Sequence, residues 1–164
     1  MGESSGQGHF ARVVLALNGG PTDALVVGAA AKFAGRAKTE VVAVHVIEVD
    51  WTHDLGDVVP GSQQRASEVL DRAEAQAERT GVSLKTTLLQ ARDVGAAIVD
   101  EAAAIGADLV VTGLPYRTKF GGEFAMGSVV PYVLQNAPMA VLVVRSAIPG
   151  DTAGGGDRHA VGRD

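Results

Sequence analysis

The sequence predicts an α/β domain built on a parallel sheet, and three observations carry that prediction. Short apolar runs recur along the chain, among them RVVLAL at Arg12–Leu17, EVVAVHVI at Glu40–Ile47 and MAVLVVR at Met139–Arg145. Runs this rich in Val and Leu are typical of strands covered on both faces. Segments of helical periodicity separate them, as the right-handed crossovers between parallel neighbours require. The length, 164 residues, suits a single domain whose core needs no covalent staple.

Taken in order, Arg12–Leu17 is the first strand, and Thr22–Arg36 is a helix with Pro21 and Asp23 in its opening region and small alanines at its packing positions. Glu40–Ile47 is the second strand, followed by an irregular stretch, Glu48–Gly61, with Gly56, Pro60 and Gly61 in it. Ser62–Thr80 has the clearest amphipathic pattern: Ala66, Val69, Leu70, Ala73 and Ala77 share one face, while Glu68, Asp71, Arg72, Glu74 and Glu78 cover the other. Gly81 stops that helix. Ser83–Leu89 is a less apolar third strand, Asp93 caps a helix running to Ile105, and Gly106 ends it. Leu109–Thr112 is the fourth strand, Ser128–Gln135 a short helix, and Met139–Arg145 the fifth strand. The domain is expected over 10–146, between a flexible tail at 1–9 and a Gly-rich disordered tail at 147–164.

Composition narrows the function classes. A formal net charge of −5 with no basic stripe argues against nucleic-acid binding. The apolar runs are too short to insert into a bilayer. Met1–Gly8 lacks a basic start and an apolar core of the secretory kind, and the absence of cysteine fits a reducing compartment, so a cytoplasmic location is expected. No P-loop, dinucleotide fingerprint or nucleophile elbow is present. His53-Asp54 has the look of a metal or acid–base pair but has no third ligand nearby, so no metal site and no catalytic residue are expected.

Ligands of parallel sheets bind beyond the carboxyl ends of the strands, where the strand order reverses. Ala16–Gly20, Val46–Asp50 and Gly113–Ser128 should converge there. The stretch LVVTGLPYRTKFGGEFAMGSV, Leu109–Val129, runs from an apolar strand through a glycine and a polar loop to a Gly-Ser pair opening a helix. That arrangement suits an anion, because glycines let backbone N–H groups approach a phosphate and the helix start adds unpaired donors. The same residues can equally be a turn and a helix start with no ligand.

The blocks VVLALNGG, VVAVHVIE, IGADLVVTG and GSVVPYVLQNAPMAVLVV, in this order and spacing, resemble the universal stress protein family over about Arg12–Arg145. The resemblance implies a five-stranded parallel sheet of order 3-2-1-4-5 with helices on both faces, Rossmann-like and of the nucleotide-binding α-hydrolase type. It implies a regulatory protein rather than an enzyme, with at most slow incidental ATP hydrolysis. It further implies a homodimer through the last strand (Met139–Arg145) and an unidentified regulatory partner. Members bind ATP, other adenine nucleotides such as cyclic AMP, or none, and ATP, with Mg²⁺ carried on its phosphates, is the leading expectation here.

By this resemblance Ala16, Asn18 and Val46 would meet the nucleoside, and Gly113, Leu114, Gly127, Ser128 and Val129 the phosphates and ribose. The family's binders carry Gly-x-x-Gly, nine residues, then Gly-Ser or Gly-Thr. In this chain Tyr116 replaces the second glycine and ten residues precede Gly127. Asn18 stands where the family commonly has Asp, and Arg92 where many binders have glycine. Arg92, Arg117 and Lys119 are candidate phosphate contacts. The alternative is a protein that binds no nucleotide, its site filled by Tyr116 and Arg92, and acts through dimer and partner contacts. Trp51 either covers the base or packs its own segment down, and His45 reads as a hydrogen-bonded core residue.

Overall fold

A computed structural model describes residues 9–34, 38–116 and 126–146. Nine elements alternate: β1 (Arg12–Leu17), α1 (Asp23–Ala34), β2 (Glu40–Glu48), α2 (Ser62–Arg79), β3 (Leu84–Ala91), α3 (Val94–Ala104), β4 (Leu109–Leu114), α4 (Val129–Asn136) and β5 (Ala140–Arg145). The strands form one sheet in the order β3-β2-β1-β4-β5, every neighbouring pair parallel. Fold class and strand order are as the sequence predicts. The two expected tails fall mostly outside the described residues.

Alternation along β1 sorts the core into two layers. Val13, Leu15 and Leu17 pack with Val26, Val27 and Ala30 of α1 and Val69, Leu70 and Ala73 of α2. Val14 and Ala16 face the other way, onto Ile98, Val99 and Ala102 of α3 and Val133 of α4. Each fully buried Val or Leu contributes roughly 1.5–3 kcal/mol relative to an exposed one, so β1, covered on both faces, anchors the domain.

Two strands run further than their apolar patterns suggest. β3 extends to Ala91, since Val46, Ile47 and Glu48 continue to pair with Leu89, Gln90 and Ala91. Beyond Thr112, β4 continues because Gly113 pairs with Val144 and Leu114 with Arg145. Gly113 is therefore a strand residue and not the first residue of a loop. The other limits differ from expectation by a residue or two, apart from the end of α1, where residues 35–37 are not described.

The amino end of the sheet is clamped by charge. The Asp108 carboxylate accepts the N–H groups of Ala11 (2.8 Å) and Arg12 (2.9 Å). Burial pushes this carboxyl up, but the N–H groups of Ala11, Arg12 and Asp108 itself outweigh it and hold it below the usual aspartate range. Arg12 donates to the Ile105 carbonyl and to Glu40 (3.2 Å), which also pairs with Lys85 (3.1 Å). The cavities lie at the opposite, carboxyl end. Among the described residues no helix is long and apolar enough to cross a membrane.

Candidate functional site

A cavity of about 300 Å³ opens at the carboxyl ends of β1 and β4. Its walls come from Ala16, Leu17 and Asn18 at the end of β1, Thr22 and Asp23 at the start of α1, and Val94 and Ile98 of α3. The end of β4 supplies Thr112, Gly113, Leu114 and the adjoining Pro115, and Met126–Val130 close the remaining side. Most of this lining is apolar, which suits the flat body of a small organic ligand held by a few polar groups. A second, more polar cavity of about 520 Å³ lies between β2 and α2, lined by His45, Val46, Glu48, Arg65, Glu68 and Arg72 among others. Asn18 lines both.

The turn after β1 is built around Asp23. Its carboxylate accepts from the N–H groups of Asn18 (3.1 Å) and Gly19 (2.8 Å), while the Asn18 side-chain oxygen accepts from Gly20 N–H (2.7 Å). Burial raises the Asp23 carboxyl above the usual aspartate value; those two N–H groups and the charges of His45 and Arg72 offset part of the rise. Asn18 is thus tied into the local backbone, and the acidic group at this end of the sheet belongs to Asp23. His45 is partly buried and its Nδ1 lies 2.8 Å from the Leu17 carbonyl. A carbonyl only accepts, so Nδ1 carries the proton and His45 is a structural hydrogen-bonded histidine.

The two glycines that bracket the site do different work. A Cβ on Gly113 would lie 2.4 Å from Thr22 Oγ1, 2.7 Å from Thr22 Cβ and 3.1 Å from Val26 Cγ2. Gly113 lets β4 pass close under the start of α1. Gly127 has φ +73° and open space around its missing Cβ, so its requirement is the left-handed turn into α4. Ser128 follows as the N-cap but forms no side-chain capping bond. Tyr132 N–H bonds to the Ser128 carbonyl, Pro131 has no N–H, and among the described residues the N–H groups of Val129 and Val130 have no partner. These are the orphan donors of a helix start, on two residues that line the cavity.

Neither Tyr116 nor Arg92, the two departures from the family's glycines, lines this cavity. Tyr116 N–H donates to Ser146 Oγ (2.7 Å), Ser146 N–H donates to the Leu114 carbonyl (3.1 Å), and the Arg145 guanidinium lies 5.7 Å from the Tyr116 ring. The chain at Tyr116 thus continues along the end of β5, and no described residue other than glycine has a positive φ. The Arg92 guanidinium donates to the carbonyls of Asp50 (2.7 Å) and His53 (3.0 Å) and lies 4.6 Å above the Trp51 ring. It fastens the segment after β2. Trp51 remains 84% exposed under it and covers neither cavity. His53 pairs with Asp50 (3.0 Å), not with Asp54; donating to the Asp50 carboxylate pushes the imidazole up, and Thr52 and His53 hold the Asp50 carboxyl well below its usual range. Among the described residues no group of three His, Asp or Glu side chains could hold a metal ion.

Seven residues singled out in the sequence therefore gather around the first cavity: Ala16, Asn18, Gly113, Leu114, Gly127, Ser128 and Val129. Val46 lines the second cavity instead, and Arg92 lines neither. Arg117 and Lys119 lie outside the described residues. Sequence reasoning missed Thr22, Asp23 and Thr112. The signal for Asp23 was its place in the first turn of α1, six residues beyond the end of β1. The two threonines looked like ordinary strand and helix-start residues.

The sequence profile of the Universal stress protein family matches residues 9–145. The chain belongs to that family. Comparison with curated proteins finds no match. Among solved structures, this universal stress protein is similar to a universal stress protein family member from Burkholderia pseudomallei, at 26% identity and TM-score 0.62, covering 82% of this chain and 95% of that one. It is also similar to the universal stress protein from Archaeoglobus fulgidus in complex with dAMP, at 22% identity and TM-score 0.66, covering 81% and 96%. A family protein from Arabidopsis thaliana with AMP bound superimposes at 11% identity and TM-score 0.61, covering 84% and 92%.

Proposed function

We propose that this universal stress protein is a non-catalytic regulatory protein of the cytoplasm that reversibly binds an adenine nucleotide at the carboxyl ends of β1 and β4. The observation that carries the reading is the cavity itself, whose apolar walls end on the partnerless N–H groups of Val129 and Val130. The base would lie against Ala16, Val94, Ile98 and Leu114, and the phosphate at Gly127, Ser128 and Val129. Asn18, Thr22 and Thr112 would meet the sugar. The AMP and dAMP complexes of structurally similar proteins agree with an adenine ligand of this kind. The family resemblance makes ATP with Mg²⁺ the first ligand to test. The position of Arg92 and Tyr116 away from both cavities favours this reading over one in which those two side chains fill the site.

Among the described residues no group lining the cavity is placed as a general base toward a water. Asp23, the one carboxylate among the described lining residues, already accepts two backbone N–H groups. Binding would instead act by ordering the start of α4, which leads directly into β5. That strand is an edge of the sheet with half-buried valines and a leucine, and pairing with a second copy would cover it. Ligand binding at one end of α4 would then bias a dimer contact, or a regulatory partner, at β5.

Thermal denaturation with ATP, ADP, AMP and cyclic AMP, with and without Mg²⁺, tests the binding. Stability should rise with ligand concentration, by about 2.7 kcal/mol at one hundred times Kd. Gly127→Trp should abolish the rise while the protein stays folded. Light scattering at micromolar concentration should show a dimer, and a strict monomer would remove the β5 contact from the account.

A further inference from the structure

The link between β2 and α2, residues 49–61, is far longer than the roughly 2–6 residues usual for such a connection. It is nevertheless tied down. Val49 is buried and its N–H donates to the Ala91 carbonyl (2.9 Å), while Arg92 grips the carbonyls of Asp50 and His53. The Asp50 carboxylate accepts from Thr52 N–H (2.8 Å). A second turn closes where Asp57 N–H donates to the Asp54 carbonyl and Asp54 N–H to the Asp57 carboxylate, both at 2.9 Å. What this frame shows to solvent is apolar. Trp51 and Val58, 84% and 62% exposed, are the two most exposed large apolar side chains among the described residues, and Leu55 between them is 49% exposed. None of the three lines either cavity at the carboxyl end of the sheet. Apolar side chains on a hydrogen-bonded frame lose little freedom when covered, which is the condition for an interaction hot spot.

The charge around them indicates what covers them. Glu48, Asp50, Asp54 and Asp57 punctuate the segment. Of the nearby cations, His53 is paired with Asp50, Arg92 is committed to the loop's own carbonyls, and Arg65 lies against Gly61 at the far end. We propose that residues 49–61 form a docking loop for another protein, one that presents an amphipathic helix with Lys and Arg flanking its apolar face. Trp51, Leu55 and Val58 meet the apolar face, and the carboxylates meet the basic flanks. The same carboxylates repel anionic lipid headgroups and nucleic-acid phosphates, which argues against a membrane or RNA as the occupant. The loop is fastened to Ala91 and Arg92 at the end of β3, the edge of the sheet opposite β5. Docking here therefore does not compete with pairing at β5, and it stands independently of nucleotide binding.

Trp51 is the single tryptophan of the chain, so its emission reads this loop alone. The whole chain is titrated with a tryptophan-free helical peptide of leucine and lysine, and with its leucine–glutamate counterpart. The leucine–lysine peptide is expected to move the emission to shorter wavelength, saturably and about tenfold more tightly than the counterpart, with affinity falling as salt rises. By calorimetry, Trp51→Ala should weaken it about tenfold and Leu55→Ala about fivefold. Leu25→Ala and Leu134→Ala, which remove comparably exposed leucines from α1 and α4, should leave it within about twofold. The proposal is overturned if the leucine–lysine peptide leaves the emission unchanged, if the leucine–glutamate peptide binds as tightly, or if either control substitution costs as much as Leu55→Ala. It is equally overturned if phosphatidylglycerol vesicles shift the emission as strongly, which assigns the loop to a membrane, or if raising the concentration of the chain alone does so, which assigns it to a second copy.

Discussion

Replacing Gly113 by alanine probes the contact that brings β4 and α1 together at the site. The added methyl would sit 2.4 Å from Thr22 Oγ1 and 2.7 Å from Thr22 Cβ, inside any ordinary contact distance, with Val26 at 3.1 Å. None of these can retreat easily. Thr22 is 1% exposed, its carbonyl accepts from Val26 N–H (3.0 Å), and Val26 is fully buried. β4 is held between β1 and β5. The backbone at Gly113 is extended and not left-handed, so the whole cost is overpacking, about 1–3 kcal/mol. For a domain of this size that lowers Tm by roughly 3–10 °C. Urea denaturation followed by circular dichroism would measure it, with an unchanged m-value marking a loss confined to the native state. Thr22→Ala in the same chain removes the oxygen but leaves a Cβ at 2.7 Å, so it should restore only part of the loss. A cost below about 0.5 kcal/mol, the size of an ordinary surface change, would refute the packing role.

Gly127→Ala should cost about 1–2 kcal/mol for a different reason, the left-handed backbone at φ +73°, since open space surrounds the site; chemical denaturation would show it without rescue by trimming any neighbour. Arg92→Ala should free the segment at Asp50–His53, shift the emission of Trp51, and leave nucleotide affinity within about twofold because the guanidinium lines neither cavity; a tenfold affinity loss by titration would place Arg92 on the ligand. Asp108 has a folded pKa below its unfolded one, so its contribution is present above about pH 4 and lost as pH falls through the folded value. Asp108→Asn should therefore cost about 1 kcal/mol at neutral pH and flatten the acid limb of the Tm–pH curve; an unchanged limb would contradict the clamp.

The fold was legible because its signals are local. β1 was readable to the residue, since six consecutive apolar or flanking positions pack on both faces of the sheet, and the Asp93 cap declared the start of α3. The ends of β3 and β4 were not, because Gln90, Ala91, Gly113 and Leu114 are held by their partners' register and not by any propensity of their own. The site was legible in outline for the same reason as the fold: its glycines and the Ser128 helix start have fixed places in the chain. Its charges were not. Nothing local distinguishes an Arg92 that reaches a phosphate from one that reaches two carbonyls, and Asp23 enters the cavity only because the turn at Asn18–Gly20 folds back onto it. Long side chains choose partners across the tertiary structure, so their roles follow from geometry rather than spacing.

The central claim is that the cavity behind Gly127 and Ser128 holds an adenine nucleotide. Titrating AMP into the purified protein while following Tm tests it most directly. The account predicts a saturable rise that Gly127→Trp eliminates. It is contradicted if millimolar AMP, ADP, ATP and cyclic AMP all leave Tm unchanged and the denatured protein releases no bound nucleotide.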